Sequence, residues 1–140
     1  MKLVIVNDCS NVLGDVVPYF GDDVDPVFIR HDSGLWSKTF GLAWNILRSD
    51  GDLYHCNYAL QDAYLVGKLK HLDVLHIHGS DVRWTMDSWK YGWIVRSKLS
   101  KAKKVLYATP ELEVKVKKFR SDAVYLPNPV DTAKFSMKLL

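Results

Sequence analysis

The sequence predicts a single α/β domain in which a mostly parallel sheet of about six strands is covered by helices on both faces. Six short apolar runs alternate along the chain with five segments in which apolar residues recur at helical spacing. Strands that are joined by helices pair in parallel and are buried on both faces. Because such crossovers are right-handed, the pattern favours a doubly wound, Rossmann-like sheet over residues 1–140.

Each strand is predicted from an apolar run that stops at polar or turn-forming residues. The last run ends at Pro127-Asn128-Pro129, where proline cannot donate to a ladder and Asn tolerates turn geometry. The predicted strands are Leu3–Val6, Val27–Ile29, Leu53–Asn57, Val74–His78, Lys104–Ala108 and Val124–Leu126.

The helices are predicted from the periodicity of the segments between these runs. The clearest pattern is that of Trp36, Phe40, Trp44 and Leu47, and Pro110 opens a later helix at a favourable first position. The predicted helices are Val12–Phe20, Leu35–Arg48, Leu60–Lys70, Asp87–Ala102 and Glu111–Phe119.

The composition bounds the class of protein. With 48% hydrophobic residues in 140, the chain can build one core, and no run approaches the roughly 18 apolar residues of a membrane span. The segment 1–8 meets acidic residues too early for a signal peptide, so we expect a strand there. Cys9 and Cys56 are too few for a disulfide framework and lack zinc-ligand spacing, which predicts reduced thiols in a cytoplasmic protein.

Charge is distributed unevenly along the chain. Residues 1–82 carry 6 Lys and Arg against 11 Asp and Glu, whereas residues 83–140 carry 13 against 5. This asymmetry predicts an electropositive face suited to phosphate-bearing ligands, nucleic acid or an anionic membrane surface, although a solvated helix surface would carry the same charges. No nucleic-acid-reading motif accompanies the charge, so we do not expect a nucleic-acid partner.

Ligands of a doubly wound sheet bind outside the carboxyl ends of its strands, which identifies the candidate site. The first loop lacks the GxGxxG pattern, but Gly14 offers a backbone N–H to a donor phosphate, with ordinary turn chemistry as the alternative. The segments expected at this edge are Asn7–Gly14, Arg30–Gly34, His55–Tyr58, His78–Arg83 and Ala108–Glu111.

The segment after the fourth strand carries the strongest chemical signal. His76 and His78 alternate along a strand and so share a face, but no carboxylate nearby has a fitting ligand spacing, and no metal is predicted. His78 is followed by Gly79-Ser80-Asp81 and then by Arg83. A tight turn, a hydroxyl and a carboxylate beside an imidazole suit the gripping of hydroxyl groups.

Four motifs in order resemble the N-terminal, acceptor-binding domain of retaining GT-B glycosyltransferases of the group 1, or family 4, type. The resemblance covers most of the chain from Asp52 onward, and more loosely the first strand. Two departures are that the first loop has Gly14 alone instead of paired glycines, and that Pro129 replaces the family's glycine. The motifs are Asp52-Leu53-Tyr54-His55-Cys56-Asn57, His78-Gly79-Ser80-Asp81, Thr109-Pro110-Glu111-Leu112 and Leu126-Pro127-Asn128-Pro129-Val130-Asp131 with Phe135.

The resemblance implies transfer of a sugar from a nucleotide-sugar, such as a UDP- or GDP-sugar, to a hydroxyl acceptor with retention of configuration. It implies that His78 is the catalytic residue beside the reacting sugar and that no further cofactor is needed. It also implies that the donor is held by a C-terminal domain absent from these residues, so that the chain alone is inactive. The acceptor-binding residues expected on this basis are Asn11, Asn57, Tyr58, Ser80, Asp81 and Arg83.

A segment rich in tryptophan and basic residues follows Arg83. On a continuous helix, Trp89 and Trp93 lie one turn apart, which is typical of peripheral helices at the inner membrane surface. The alternative is a helix whose apolar side packs on the sheet while its lysines face water. The cations expected largely elsewhere around this helix are Lys90, Arg96, Lys98 and Lys101.

Two classes of function therefore remain open. The first is the acceptor half of a glycosyltransferase acting on a sugar or a lipid-linked acceptor. The second is a stand-alone Rossmann-like module that binds an anionic ligand or a partner protein. An acceptor half lacks a complete nucleotide pocket, whereas a self-sufficient module binds its ligand as purified.

Overall fold

The computed structural model of the chain describes residues 1–8, 11–31 and 34–129. Cys9 and the Val130, Asp131 and Phe135 positions of the last motif lie outside the described residues. The strands are β1 (Lys2–Val6), β2 (Asp25–Ile29), β3 (Leu53–Cys56), β4 (Val74–Ile77), β5 (Lys104–Tyr107) and β6 (Val124–Tyr125).

The helices are short, and several begin or end in tighter or wider turns. Within the described ranges the α-helices are α1 (Leu42–Arg48), α2 (Gln61–Leu69), α3 (Gly92–Lys101) and α4 (Glu113–Lys117). The 3-10 turns are Val17–Tyr19 and Pro110–Leu112, and the π-helical turns are Ser37–Gly41, which runs straight into α1, and Asp81–Thr85. None of these helices is long and apolar enough to cross a bilayer.

The six strands form one sheet in the order β2-β1-β3-β4-β5-β6, and every neighbouring pair is parallel. The chain runs outward from β1 to β2 and then returns past β1 to β3, after which each strand adds to the far edge. The predicted fold class, an α/β sheet of doubly wound, Rossmann-like type, is confirmed. The reversal at β1 makes the gap between the carboxyl ends of β1 and β3 the topological switch point.

The core lies mainly on one face of the sheet. Buried residues of all four α-helices, among them Ile46, Val66, Leu99 and Val116, belong to one cluster with alternate strand residues. The other face is covered near β1 by a smaller cluster of Leu3, Ile5 and Leu13 together with partly buried residues of segment 17–28. Burying one such aliphatic side chain contributes about 1.5–3 kcal/mol, so the larger cluster supplies most of the driving force.

The predicted helix Val12–Phe20 is wrong in type and length, since only the 3-10 turn Val17–Tyr19 forms there. The Asp8 carboxylate accepts the backbone N–H groups of Leu13 and Gly14 at 2.8 Å each. These bonds wrap the segment around Asp8, and Pro18 has no N–H to extend a helix. The apolar periodicity therefore predicted a buried side correctly, but backbone N–H groups bond the Asp8 carboxylate instead of forming helical hydrogen bonds.

The predicted helix Asp87–Ala102 begins five residues late, at Gly92. The Ser88 hydroxyl accepts N–H groups of Lys90 and Tyr91 at 3.3 and 3.4 Å, an arrangement in which a serine competes with helical bonding. The backbone at Gly92 also packs so closely that a Cβ atom there would lie 2.3 Å from the Met86 carbonyl oxygen. The region before Gly92 is consequently a set of turns.

Candidate functional site

A polar crevice lies at the topological switch point of the sheet. It has a volume of about 220 Å³ and brings together residues that follow three different strands. Asn7 follows β1, His31 follows β2 and Tyr58 follows β3, so the carboxyl ends of these neighbouring strands build its wall. The crevice is lined by Asn7, His31, Lys38, Tyr58, Leu60, Gln61 and Asp62.

The Asp62 carboxylate organises the floor of this crevice. Its Oδ2 accepts a hydrogen bond from Asn7 Nδ2 at 2.7 Å, and its Oδ1 lies 3.4 Å from His31 Nε2. Asp62 is buried at the first turn of α2, and burial raises the pKa of its carboxyl, while Asn7 and His31 act in the opposite direction. The result is a carboxylate that is held in place and aimed at the switch point.

His78 lies at the carboxyl end of β4. Its Nε2 donates a hydrogen bond of 3.2 Å to Asn57 Oδ1, and Asn57 is fully buried beyond the end of β3. Burial lowers the pKa of His78, although Asn128 and the Asp8 carboxylate oppose this effect. The imidazole is therefore mostly neutral near pH 7 and carries one donor and one acceptor nitrogen.

His78 belongs to a row of three imidazoles on the second face of the sheet. The ring centroids of His55 and His76 are 5.7 Å apart, and those of His76 and His78 are 4.4 Å apart. Burial lowers the pKa of His55 to about 3 and that of His76 to about 4, with the neighbouring imidazoles adding to the effect. Within the described residues, no group of three or more His, Cys, Asp and Glu is arranged to hold a metal ion.

The loop after His78 is tied to the loop after β3. The Ser80 hydroxyl lies 3.0 Å from the Tyr58 hydroxyl, and both side chains reach solvent. Arg83 is exposed and forms an ion pair with Glu111, in the 3-10 turn that follows β5. Gly79 adopts φ +148°, and a Cβ atom there would meet the Arg83 guanidinium at 2.8 Å, so this turn requires glycine.

Asp81 holds this loop from inside. It is fully buried, and its carboxylate accepts backbone N–H groups of Ala59, Gly79 and Val82 at 3.1, 3.3 and 3.0 Å. Burial raises the pKa of the Asp81 carboxyl, and these hydrogen bonds counteract that effect. The Asp81 carboxylate thus binds the backbone of its own loop and of Ala59.

The predicted phosphate loop is closed by its own residues. The Gly14 N–H is donated to Asp8, and a Cβ atom on Gly14 would lie 2.3 Å from Asn11 Oδ1. Asn11 has φ +59° and accepts a hydrogen bond of 3.1 Å from Arg30. A phosphate approaching Gly14 would have to displace the Asp8 carboxylate, whereas Asn11 and Arg30 present exposed polar groups at the rim.

The tryptophan and basic segment differs from its prediction in two respects. Trp89 and Trp93 are 92% and 53% exposed, but they do not share a helix, because α3 begins at Gly92. Lys98 is buried instead of facing away, with its Nζ 5.0 Å from the centroid of the Tyr64 ring. Among the other predicted cations, Lys90 and Lys101 are exposed and Arg96 is half-buried.

Asp62 and Lys38 are crevice residues outside the segments that the sequence predicted at the functional edge, whereas His31 lies within the predicted segment Arg30–Gly34. Asp62 carries a usable signal, since an acidic residue in the first turn of a helix that follows a strand lies at the functional edge. Lys38 carries no such signal, because its position depends on how the π-helical turn Ser37–Gly41 approaches α2.

Comparison with known proteins assigns the chain to no family. It matches no model of a known protein family, and no curated protein is significantly similar to it. The chain has an α/β fold with a polar crevice at its switch point and a half-buried histidine, His78, at the carboxyl end of β4.

Proposed function

We propose that this chain is the acceptor-binding domain of a retaining glycosyltransferase of GT-B architecture. Two observations carry the proposal: the imidazole of His78, held by Asn57 at the carboxyl end of β4, and the polar crevice at the switch point. The order of the four motifs from Asp52 onward supports the same reading. In the proposed reaction the acceptor oxygen forms a bond to the anomeric carbon, the bond from that carbon to the nucleoside diphosphate oxygen breaks, and the proton of the acceptor hydroxyl passes to the departing diphosphate.

The crevice suits a sugar-like acceptor because it alternates donors and acceptors over a short span. Tyr58 and Ser80 offer hydroxyls that both donate and accept, Asp62 offers carboxylate oxygens, and Lys38 donates only. Sugars present the complementary pattern of closely spaced hydroxyl groups. The acceptor class we propose is a saccharide or a lipid-linked saccharide.

His78 is proposed to contact the hydroxyls of the reacting sugar and to stabilise the transition state. A neutral imidazole forms hydrogen bonds with hydroxyls without leaving a charge buried in the cleft. Asn57 fixes the ring orientation through Nε2, and Asp81 fixes the loop that follows. These residues act as positioning groups for His78.

The donor is proposed to bind mainly to a second domain. The first loop of this chain uses the Gly14 N–H for Asp8, so it presents no ready cradle for a diphosphate. We therefore expect a UDP- or GDP-sugar to be held by a C-terminal domain of the same chain or of a partner, with the reacting sugar reaching toward His78.

Amide NMR of the chain during titration with simple methyl glycosides tests this proposal. We expect millimolar binding with shifts at the amides of Tyr58, His78 and Ser80, and a several-fold weaker response in His78→Ala. His71→Ala is the matched control, because His71 is an exposed histidine at the opposite end of β4. Micromolar binding of a nucleotide-sugar to this chain alone would contradict the proposal that a second domain binds the donor.

A second candidate function is the binding of a small anionic ligand in the same crevice. Lys38 and His31 favour it, since both are side chains that attract anions when protonated, and phosphate-bearing ligands bind at switch points. Titration with inorganic phosphate separates the two candidates. Saturable binding of phosphate would favour the anionic ligand. Under the saccharide proposal we expect no such binding, because the buried Asp62 carboxylate repels phosphate but accepts a hydrogen bond from a sugar hydroxyl.

A further inference from the structure

The helical segment 35–48 exposes a row of large apolar side chains to solvent. Leu35, Trp36, Phe40, Trp44 and Leu47 are 75%, 75%, 68%, 58% and 53% exposed, although they recur with the three- to four-residue spacing of a buried stripe. The core side of the same segment is formed by other residues, Leu42 and Ile46, which are fully buried. The segment thus has two apolar sides, and the domain's own core uses one of them.

The outer row is preorganised as an aromatic surface. The rings of Trp36 and Phe40 lie 5.0 Å apart, and the Arg48 guanidinium lies 5.6 Å from the Trp44 ring centroid. A groove lined by Phe40 and Tyr64 continues the surface from α1 onto α2, and a second groove from Tyr64 to Tyr91 reaches α3. An exposed apolar surface of this extent on a monomer marks an interaction site.

The charged residues of the helices that border this surface are mostly basic. Arg48, Lys68 and Lys101 are exposed, whereas Lys98 is buried, and the exposed Asp50 lies two residues after Arg48. Segment 35–48 contains Lys38 and Arg48 and no acidic residue, and α3 contains only cations among its charged residues. The sole acid of α2 is Asp62, which is buried in the crevice, whereas Lys68 of that helix is exposed. The outer side of these three helices therefore offers aromatic rings among positive charges.

We propose that the row Leu35, Trp36, Phe40, Trp44 and Leu47 is a docking surface for an anionic lipid bilayer. Tryptophan and phenylalanine partition into the boundary between headgroups and acyl chains, while flanking Lys and Arg are attracted by anionic headgroups. The surrounding lysines argue against a protein partner, because lysine is depleted in protein interfaces. The proposal is independent of sugar transfer, since vesicle binding requires neither donor nor acceptor.

Flotation of the chain with phosphatidylcholine vesicles that do or do not contain phosphatidylglycerol tests the proposal. We expect binding to the anionic vesicles that weakens with salt, and a loss of about tenfold when Trp36, Phe40 and Trp44 are all replaced by Ser. The matched control is Tyr19→Ser, which removes a side chain that is 79% exposed in the 3-10 turn on the other face of the sheet. Tyr19→Ser should bind as the unaltered chain does.

The contribution of charge to vesicle binding is tested with Arg48→Glu and Lys118→Glu. Both residues are exposed, and both substitutions change the net charge of the protein by the same amount. Only Arg48→Glu should weaken binding by several-fold, because Lys118 lies at the end of α4, outside the surface. Should the triple variant misfold by circular dichroism, the single variants Trp36→Ser and Trp44→Ser replace it.

Three results would overturn the proposal. One is an absence of affinity for anionic vesicles, and another is unchanged binding by the aromatic variants. The third is self-association of the unaltered chain in gel filtration that Trp44→Ser abolishes, without vesicle binding, which would make the surface a protein interface.

Discussion

The carboxylate of Asp81 accepts three backbone hydrogen bonds in the interior, although the HGxD pattern alone would equally place it in solvent. These bonds connect the loop after β4 to Ala59, at the start of the turn before α2. Since Gly79 directly follows His78 and donates its N–H to Asp81, this carboxylate restrains the backbone next to the imidazole. At the residue scale, Asp81 is the support of the site.

Replacement of Asp81 by Ala should lower the free energy of unfolding by about 2–3 kcal/mol, because three buried N–H groups lose their acceptor. Urea unfolding measures the change, and Asp50→Ala is the control, since Asp50 is exposed between α1 and β3 and surface changes stay within about 0.5 kcal/mol. A variant as stable as the parent would show that the carboxylate is free to bind an acceptor instead.

The strands were predicted within a residue or two at each end, because a buried parallel strand appears in the sequence as an uninterrupted apolar run. The helices were less predictable. Periodicity indicates which side is buried, but it does not reveal competition from Ser88 for N–H groups or the close approach of Gly92 to Met86. Where a helix begins is set by such contacts between neighbouring turns.

Two glycines allow this argument to be tested at the scale of the element. Gly92→Ala should destabilise the protein by about 1–3 kcal/mol, because its Cβ would overlap the Met86 carbonyl oxygen. Gly67→Ala, in α2, meets only the flexible end of Lys98 at 3.1 Å and should stabilise by about 0.5–1 kcal/mol through helix propensity. Equal effects in thermal unfolding would show that packing at Gly92 does not fix the start of α3.

The candidate site was predictable where it depends on neighbouring strand ends. Asn57 and His78 end adjacent strands, so topology alone brings them together, and they form a hydrogen bond. The contact of Asn7 with Asp62 joins residues 55 positions apart. It depends on the pitch of α2 over β1 as well as on strand order, so the sequence did not indicate it. The exposed row on segment 35–48 was missed because its periodicity resembles that of a core helix.

The molecule as a whole is asymmetric, with four α-helices on one face of the sheet and a row of buried histidines on the other. His55 and His76 are 7% and 1% exposed, and within the described residues no side chain accepts a hydrogen bond from His55 Nε2. A buried imidazole without a carboxylate partner is stable only when neutral. The folded state of this domain is accordingly sensitive to acid.

The two buried histidines should make the domain less stable in mild acid. The pKa values of about 3 for His55 and about 4 for His76 lie below the unfolded value of 6.5, so the folded state binds fewer protons at intermediate pH. Their contribution is fully present above pH 6.5 and is lost as the pH falls toward the folded values. Linkage then predicts a loss of about 2 kcal/mol for each histidine between pH 7 and pH 5.

The raised pKa values of Asp62 and Asp81 act in the opposite direction, so the histidine contribution is best isolated by comparing variants. His55→Leu should reduce the loss of unfolding free energy between pH 7 and pH 5 by about 2 kcal/mol, whatever its effect at pH 7. His71→Leu removes an exposed histidine and should leave the pH dependence unchanged. If both variants lose stability in acid as the parent does, the buried row is not the acid-sensitive element.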